Sequence, residues 1–187
     1  VSLLEECRHE HVVRLVRWWE AGRELCLVLE LMPHGSLGKL VREVGPLPEE
    51  VAATYVQQLL GALAHLHRLQ VIHRDLKGDN VLLAADGRAC LADFGTAVRV
   101  RDVEQVNADE VEAVGTPYWL SPEVVLLMPQ DTKSDVWSLG STLVELLTGE
   151  PPYGQLAPMA ALFRIVSEDQ PALPAHASAD AVAFLLR

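Results

Sequence analysis

The eight residues HRDLKGDN (73–80) constrain the fold most strongly, because they place charged side chains between regular elements. Before them, a helical pattern begins at Pro48, and its apolar residues recur at helical spacing: Val51, Tyr55, Leu59, Leu63 and Leu66. After them, VLLAADGRACLADFG is typical of two short strands around an Asp86–Gly87 turn. A polar loop held between rigid elements is a common place for catalysis.

The rest of the chain divides into a strand-rich start and a helical remainder. Residues 1–8 resemble a helix end, and the β-rich runs 11–19 and 24–32 predict an antiparallel hairpin. Ser36 is expected to cap a short helix. Further helices are predicted at 121–127, 134–148, 158–168 and 178–186. A few strands followed by many helices predict an α+β fold, with a small sheet part and a large helical part.

Composition excludes several classes of protein. Half of the 187 residues are apolar, so the chain can bury a core of one or two domains. The net charge of −11 argues against nucleic-acid binding and against an anionic membrane surface. Cys7, Cys26 and Cys90 are scattered, which indicates reduced thiols in a cytoplasmic (intracellular) protein. No apolar run approaches the ~18 residues that a membrane span needs.

The charged loop contains the components of a particular reaction. Asp75 could accept a proton from a hydroxyl, and Lys77 could neutralise a forming oxyanion. Asn80 offers a neutral oxygen ligand for Mg²⁺, and Asp93 of the DFG motif (93–95) offers a second one. Either motif alone would most often be a solvated turn, but the two in this order and spacing predict phosphoryl transfer from a nucleotide to an alcohol.

Together with GTPYWLSPE (115–123) and KSDVWSLGSTLVELLTGEPPY (133–153), these motifs resemble the eukaryotic protein kinases over the whole chain. Within that family, GTPYWLSPEVV and the tail LAPMAALFRIVSEDQPALP are similar to MAP kinase kinase kinases, above all the plant epsilon-type and fungal septation-pathway kinases. The resemblance implies a two-lobe kinase fold, with residues 1–31 in a partial β-rich N-lobe and 32–187 in the C-lobe. It also implies ATP and Mg²⁺ as cofactors, and protein Ser/Thr hydroxyls as substrates in a signalling cascade.

The resemblance assigns catalytic roles to five residues. Asp75 would be the catalytic base, and Lys77 would steady the transferred phosphate. Asn80 and Asp93 would hold Mg²⁺. The hydroxyl of Thr116 would reach Asp75 and Lys77, and the presence of Lys77 and Thr116 indicates Ser/Thr specificity.

For the nucleotide, the segment LVLELMP resembles the hinge between the lobes. Leu29 falls at the gatekeeper position, and Glu30 and Met32 would give backbone hydrogen bonds to adenine. Leu82 would form the floor of the pocket. From pattern alone, Leu29 and Leu82 would be core residues.

Other residues are implied to be structural or regulatory. Asp135, which would open the long central helix, should accept N–H bonds from the His73–Arg74 turn. His73 should form an apolar column with Phe94 of the DFG motif, Leu4 and Leu15, so that it is a packed histidine and not a titrating switch.

The remaining assignments concern Gly95, Glu123 and five histidines. Gly95 completes the DFG motif, and Glu123 should need a buried Arg from a later helix that the chain does not reach. The other histidines in the first 70 residues show no pattern of metal ligands and are interpreted as ordinary: His9, His11, His34, His65 and His67.

The chain departs from the family where the phosphates would be gripped. It has no glycine-rich loop and no strand Lys, and Glu5 and Glu6 are expected to face solvent instead of replacing the helix Glu. The chain begins without Met and ends inside a helical stretch, so we expect a piece of a longer kinase that lacks the last C-lobe helices and is inactive alone. The alternatives are a pseudokinase scaffold and, more remotely, a small-molecule phosphotransferase. The presence of Asp75, Asn80 and Asp93 argues against the first, and the SPE and SDVWSLG motifs argue against the second.

The stretch from Ala97 to Gly115 contains acids but no Ser, Thr or Tyr. In kinases with an Arg before the catalytic Asp, that Arg commonly binds a phosphorylated residue of this loop. One hypothesis is therefore that a carboxylate docks on Arg74 without phosphorylation; the candidates are Asp109, Glu110 and Glu112. The alternative is that these acids form a solvated run.

Overall fold

A computed structural model describes residues 2–104 and 114–187. Its elements follow in chain order: α1 Ser2–Glu6, β1 Leu15–Ala21, β2 Glu24–Leu29, α2 Leu37–Val44, α3 Glu49–Arg68, β3 Val71–Ile72, β4 Val81–Leu83, β5 Ala89–Leu91, β6 Val98–Arg99, α4 Val100–Glu104, α5 Pro122–Val125, α6 Thr132–Thr148, α7 Pro158–Ser167 and α8 Ala179–Leu185. Within these ranges the strands pair antiparallel as β1–β2, β3–β6 and β4–β5. The predicted α+β class, with a small sheet part and a large helical part, is confirmed.

The hairpin β1–β2 is shorter than predicted at its start. Val12 and Val13 are buried, and the N–H of Val13 donates to the carbonyl of Leu91 (2.9 Å), so this segment joins β5 instead of the hairpin. The chain reverses at Gly22, whose φ of +68° favours glycine. Large apolar side chains of the hairpin stay exposed: Trp18, Trp19, Leu25 and Leu27. Glu5 and Glu6 of α1 are also exposed, as predicted.

Helix α2 begins after Ser36, whose Oγ accepts the N–H of Lys39 (3.1 Å), so the predicted cap is confirmed. On α3, Leu59 and the two leucines after it on the same face are buried as predicted, but Val51 is 40% exposed. The prediction for Val51 was wrong because α3 turns Ala52 and Val56 inward. Small residues on that side let α3 pack closely against α6 and β5.

Helix α6 crosses the centre of the helical part. It begins two residues earlier than predicted, because the side chain of Asp131 caps it by accepting the N–H of Lys133 (2.6 Å), and Asp135 therefore lies in its first turn instead of opening it. It ends at Gly149, which has φ +90°. Several of its buried side chains are polar: Ser134, Asp135, Ser138, Ser141, Thr142 and Glu145. Buried polar groups need hydrogen-bond partners, and several of these face the 73–80 loop and the 115–123 segment.

Among the described residues, no helix combines the length and the apolar character that crossing a membrane requires.

Candidate active site

The turn at His73 and Arg74 is anchored to α6. Asp135, which is 1% exposed, accepts the N–H groups of His73 and Arg74, both at 3.0 Å, as predicted. Its Oδ2 also accepts Nε2–H of His67 on α3 (2.8 Å). Arg74 has φ +71°, a left-handed conformation that costs a non-glycine residue roughly 1–2 kcal/mol. The three bonds to one carboxylate therefore hold a strained turn in place.

His73 is a fully buried, neutral histidine. Its Nε2–H donates to the carbonyl of Ala92 (2.9 Å), and its Nδ1 accepts the N–H of Asp75 (3.3 Å). Burial lowers the pKa of His73, so the imidazole stays uncharged at neutral pH. Its ring lies edge-on to Phe94, with centroids 5.1 Å apart. The predicted contact between these two rings is confirmed, and the continuation of the column through Leu4 and Leu15 stays a prediction.

Asp75 lies at the centre of a hydrogen-bonded cluster. Its Oδ1 accepts the hydroxyl of Thr116 (2.7 Å), and its Oδ2 accepts Nζ of Lys77 (2.8 Å) and Nδ2 of Asn80 (2.8 Å). Nζ of Lys77 also donates to the hydroxyl of Thr116, so the three predicted side chains meet. Burial disfavours the carboxylate, but the bonds from Lys77, Thr116 and Asn80 outweigh it and lower the pKa of Asp75. Asp75 is therefore ionised at neutral pH.

Asn80 and Asp93 come from neighbouring strand ends. The N–H of Ala92 donates to the carbonyl of Asn80 (2.8 Å), which extends the pairing of β4 with β5 by one residue and places Asp93 just beyond it. The amide nitrogen of Asn80 is turned to Asp75, so its Oδ1 remains for a cation. Asp93 is exposed, and its Oδ1 accepts the N–H of Gly95 (3.1 Å). One amide and one carboxylate oxygen suit Mg²⁺, which takes few protein ligands beside water and phosphates.

Two of the four residues predicted for the nucleotide pocket lie together. Met32 and Leu82 are partly buried and pack against one small buried cluster, which consists of Val13, Cys90 and Ala92. Leu29, at the end of β2, is 42% exposed. The N–H of Glu30 donates to the carbonyl of Arg14 (2.9 Å), so a backbone bond from Glu30 to a ligand would have to use its carbonyl.

The segment after Gly115 is held against the catalytic loop. At Gly115, which has φ +130°, an added Cβ would lie 2.7 Å from the carbonyl oxygen of Arg74, so only glycine permits this approach. Glu123 accepts the hydroxyl of Ser134 (2.8 Å), and its predicted Arg partner stays a prediction. The side chain of Arg74 donates from Nε to the carbonyl of Thr96. The three acids proposed to dock on Arg74 lie outside the described residues.

Sequence reasoning missed two residues of this region. Glu145 on α6 is 5% exposed and accepts the N–H of Gly78 (3.0 Å) and Nε1–H of Trp119 (3.2 Å). A lone acid inside the apolar stretch TLVELL is the signal that could have found it. His67, interpreted as ordinary, is the third donor to Asp135 and had no signal in the sequence beyond its position near the loop.

Comparison with known proteins decides the family. A model of the protein kinase domain matches residues 1–186. The chain belongs to the protein kinase family. This kinase chain is 43% identical over 178 residues (95% of its length) to a probable serine/threonine-protein kinase of Dictyostelium discoideum. It is 41% identical over its full length to cell division control protein 7 of Schizosaccharomyces pombe, and 42% identical over 99% of its length to MAP3K epsilon protein kinase 1 of Arabidopsis thaliana.

These matches confirm the predicted family and the predicted similarity to epsilon-type kinases. The kinase chain spans 35% of the Dictyostelium relative, 17% of the Schizosaccharomyces relative and 14% of the Arabidopsis relative.

Proposed function

We propose that this chain is the catalytic part of an ATP-dependent serine/threonine protein kinase. The observation that carries the proposal is the position of the Thr116 hydroxyl, 2.7 Å from Asp75 and in contact with Lys77. A hydroxyl oxygen can thus lie within the distance that proton transfer to Asp75 needs, with a cation beside it. The names of the relatives support Ser/Thr specificity and a role in a signalling cascade.

The proposed reaction transfers the γ-phosphoryl group of ATP to a protein hydroxyl. Ionised Asp75 accepts the hydroxyl proton while the hydroxyl oxygen bonds to the γ-phosphorus and the bond to the bridging oxygen of ADP breaks. Lys77 stabilises negative charge on the transferred group. Asn80 and Asp93 would hold Mg²⁺, which when bound neutralises phosphate charge.

On the nucleotide side, we propose that the backbone of Glu30 and Met32 binds adenine. Met32 and Leu82 share one apolar cluster, which supports a pocket floor at Leu82. Leu29 would border the pocket as gatekeeper, and its exposure at the end of β2 is compatible with that position.

We propose that residues 1–31 belong to an N-lobe and 32–187 to a C-lobe, and that further chain supplies a glycine-rich loop, a phosphate-binding Lys and the last C-lobe helices. The exposed apolar side chains of β1–β2 support this, because an isolated two-stranded hairpin is marginally stable in water. The 187 residues alone would then bind ATP·Mg²⁺ weakly and be inactive. The free cysteines, two of them buried, support an intracellular location.

Two substitutions in the complete protein test the assigned roles. Asp75→Asn should lower the rate of the chemical step by roughly 10²–10⁴-fold, because the proton acceptor is lost. Nucleotide affinity should stay nearly unchanged in that variant. Asp93→Ala should instead weaken Mg²⁺-dependent nucleotide binding, because an oxygen ligand is lost.

Asp86→Asn is the matched control, because Asp86 lies in the exposed turn between β4 and β5 and should leave both quantities unchanged. Single-turnover phosphotransfer and calorimetric nucleotide titration are the measurements. Loss of ATP binding in Asp75→Asn, with normal binding in Asp93→Ala, would show that the roles are wrongly assigned.

A further inference from the structure

Three histidines that have no role in the proposed reaction lie together between the start of the chain and α3. His9 and His11 belong to the turn after α1, and His65 lies on α3. The rings of His9 and His65 are stacked, with centroids 5.2 Å apart and planes inclined by 28°. The ring of His11 lies 5.6 Å from that of His9 and is tilted by 53°. The turn therefore contacts α3 through side chains of the type that most often changes charge between pH 5 and 8.

The hydrogen bonds of the turn require a neutral His9. Its Nδ1 accepts the backbone N–H of His11 (3.1 Å), and only an unprotonated ring nitrogen can accept. A charged imidazole carries a hydrogen on both nitrogens, so protonation of His9 would remove this bond. The ring of His11 donates from Nδ1 to the carbonyl of Ala89 on β5 (3.0 Å), which both charge states of a histidine permit. The conformation of the turn thus depends on the charge of His9.

The surroundings of His65 also suit the uncharged form. Its Nε2 is buried and has no hydrogen-bond partner among residues 2–104 and 114–187. A neutral His65 can carry its proton on Nδ1, whereas the charged form must carry one on Nε2 as well. A buried donor without an acceptor is costly, so the contact that buries His65 opposes its protonation.

The charges around the two stacked rings favour their neutral forms. Burial lowers the pKa of His9, and the neighbouring rings of His65 and His11 lower it further. Arg68 on α3 acts in the same direction, whereas Glu10 of the turn raises the pKa of His9. Burial also lowers the pKa of His65, and Arg68 adds to this effect. A proton on either ring is therefore bound more weakly while the rings are in contact than after they separate.

Contacts that do not involve the stacked rings hold the other side of the turn to β5. The N–H of Leu91 donates to the carbonyl of His11 (2.9 Å). Arg88 and Cys90, the charged and titratable residues on this side, donate to the carbonyl of Glu10. These bonds do not change when an imidazole is protonated, so the contact with α3 would be lost before the contact with β5.

We propose that the His9–His65 stack is a pH-sensitive contact between the start of the chain and α3, closed when both rings are neutral and open when they are protonated. In the open form the rings are solvated and have ordinary pKa values of about 6.5, so the contact is closed above that pH and opens as the pH falls below it. In the proposed division into lobes, the two rings come from different lobes, and acid would loosen the attachment between them. The contact itself does not depend on the kinase proposal.

Amide hydrogen exchange of the complete protein at pH 7.5 and 5.5 is the first test. After correction for the intrinsic pH dependence of exchange, the amides of residues 7–13 should lose about threefold or more of their protection at pH 5.5, because each bound proton favours the open form by up to about tenfold per pH unit. The amides of residues 139–143, in the centre of α6, report global unfolding and should lose less. Equal losses in both segments, or no loss in 7–13, would overturn the inference.

His65→Phe tests whether the stacked ring is responsible, because it keeps an aromatic ring and removes the nitrogens that bind a proton. The loss of protection in residues 7–13 between pH 7.5 and 5.5 should become smaller, since one of the two titrating rings is gone. His34→Phe is the matched control, because His34 is an exposed histidine outside the cluster. The inference is wrong if the two variants lose the same protection. The first test needs no substitution and decides even if His65→Phe does not fold.

Titration of the individual histidines tests the interaction between the rings directly. Hydrogen–deuterium exchange at the imidazole Cε1, followed by mass spectrometry, reports the pKa of each histidine. The pKa of His9 should rise in His65→Phe, because a positive neighbour is removed, and it should stay unchanged in His34→Phe. An unchanged titration of His9 in His65→Phe would refute the proposed contact. Neither exchange experiment needs catalysis, so failure of the kinase proposal would leave both results unaffected.

Discussion

Replacing Asp135 by Asn should destabilise the protein by about 2–4 kcal/mol. Oδ2 of Asp135 accepts two donors, Nε2–H of His67 and the N–H of His73, and Oδ1 accepts the N–H of Arg74. An Asn that keeps its oxygen on the Oδ2 side must point its NH₂ group at the Arg74 N–H. A buried donor then loses its partner, which costs about 1.5–3 kcal/mol for a bond to a charged group, and the other two bonds become neutral and weaker.

Two comparisons sharpen this prediction. Asp135→Ala removes all three bonds and should cost more than Asp135→Asn, about 3–5 kcal/mol. Asp131→Asn is the matched control, because Asp131 caps the same helix and Asn caps a helix as well as Asp does. When the turn is released, Arg74 can leave its left-handed conformation, which recovers roughly 1 kcal/mol of strain. The predicted losses of unfolding free energy already include this gain.

Urea unfolding of the complete protein, followed by circular dichroism at pH 7, measures these differences. We expect the loss of unfolding free energy to be largest in Asp135→Ala, smaller in Asp135→Asn and smallest in the control Asp131→Asn. If Asp135→Asn changes the unfolding free energy by no more than Asp131→Asn, the three bonds do not anchor the turn and the argument for a strained loop held by α6 is refuted.

Two other predictions concern titration and reactivity. Burial lowers the pKa of His73, and the pKa values of His9 and His65 are lowered as well, so below about pH 6.5 the unfolded chain binds protons that the folded chain does not. Stability should be full above pH 6.5 and fall below it, with His73 alone contributing up to about 1.4 kcal/mol per pH unit. Unfolding midpoints that are equal at pH 7.5 and 5.5 would contradict this. Burial raises the pKa values of Cys7 and Cys90 to about 11, so a thiol reagent at pH 8 should react fast with Cys26 alone. The Cys26→Ser variant should lose this fast phase, and a second fast-reacting thiol would contradict the prediction.

Local sequence signals predicted most elements because each acts over a few residues. Ser36 as a cap and Gly87 as a turn residue fix element ends through their own backbone chemistry. The contacts of Asp135 and Thr116 came from the family resemblance, since no local pattern pairs residues about 40 to 60 positions apart. Spacing alone predicts the charged loop but not its contacts with Asp135 and Thr116.

The wrong predictions concern positions where the sequence pattern allows two arrangements and contacts with other elements decide between them. On α3 the pattern allows either Val51 or Ala52 to face inward, and the choice depends on the neighbouring α6 and β5. Glu145 was missed because an acid in an apolar stretch shows that a partner is needed without showing which partner. The start of β1 was misplaced because Val12 and Val13 suit a strand equally well when they pair with β5.

One consequence of the α6 contacts concerns preorganisation. Asp135 and Glu145 hold the 73–80 loop near its two ends from a single buried helix, so the loop acquires its geometry when the chain folds, before any substrate arrives. In the proposed kinase, reorganisation of these groups would then add little to the activation barrier, as electrostatic catalysis requires. In the proposed kinase, a substitution on the far side of α6, distant from every reacting atom, would then lower turnover by tilting the helix. Each catalytic side chain would stay chemically intact.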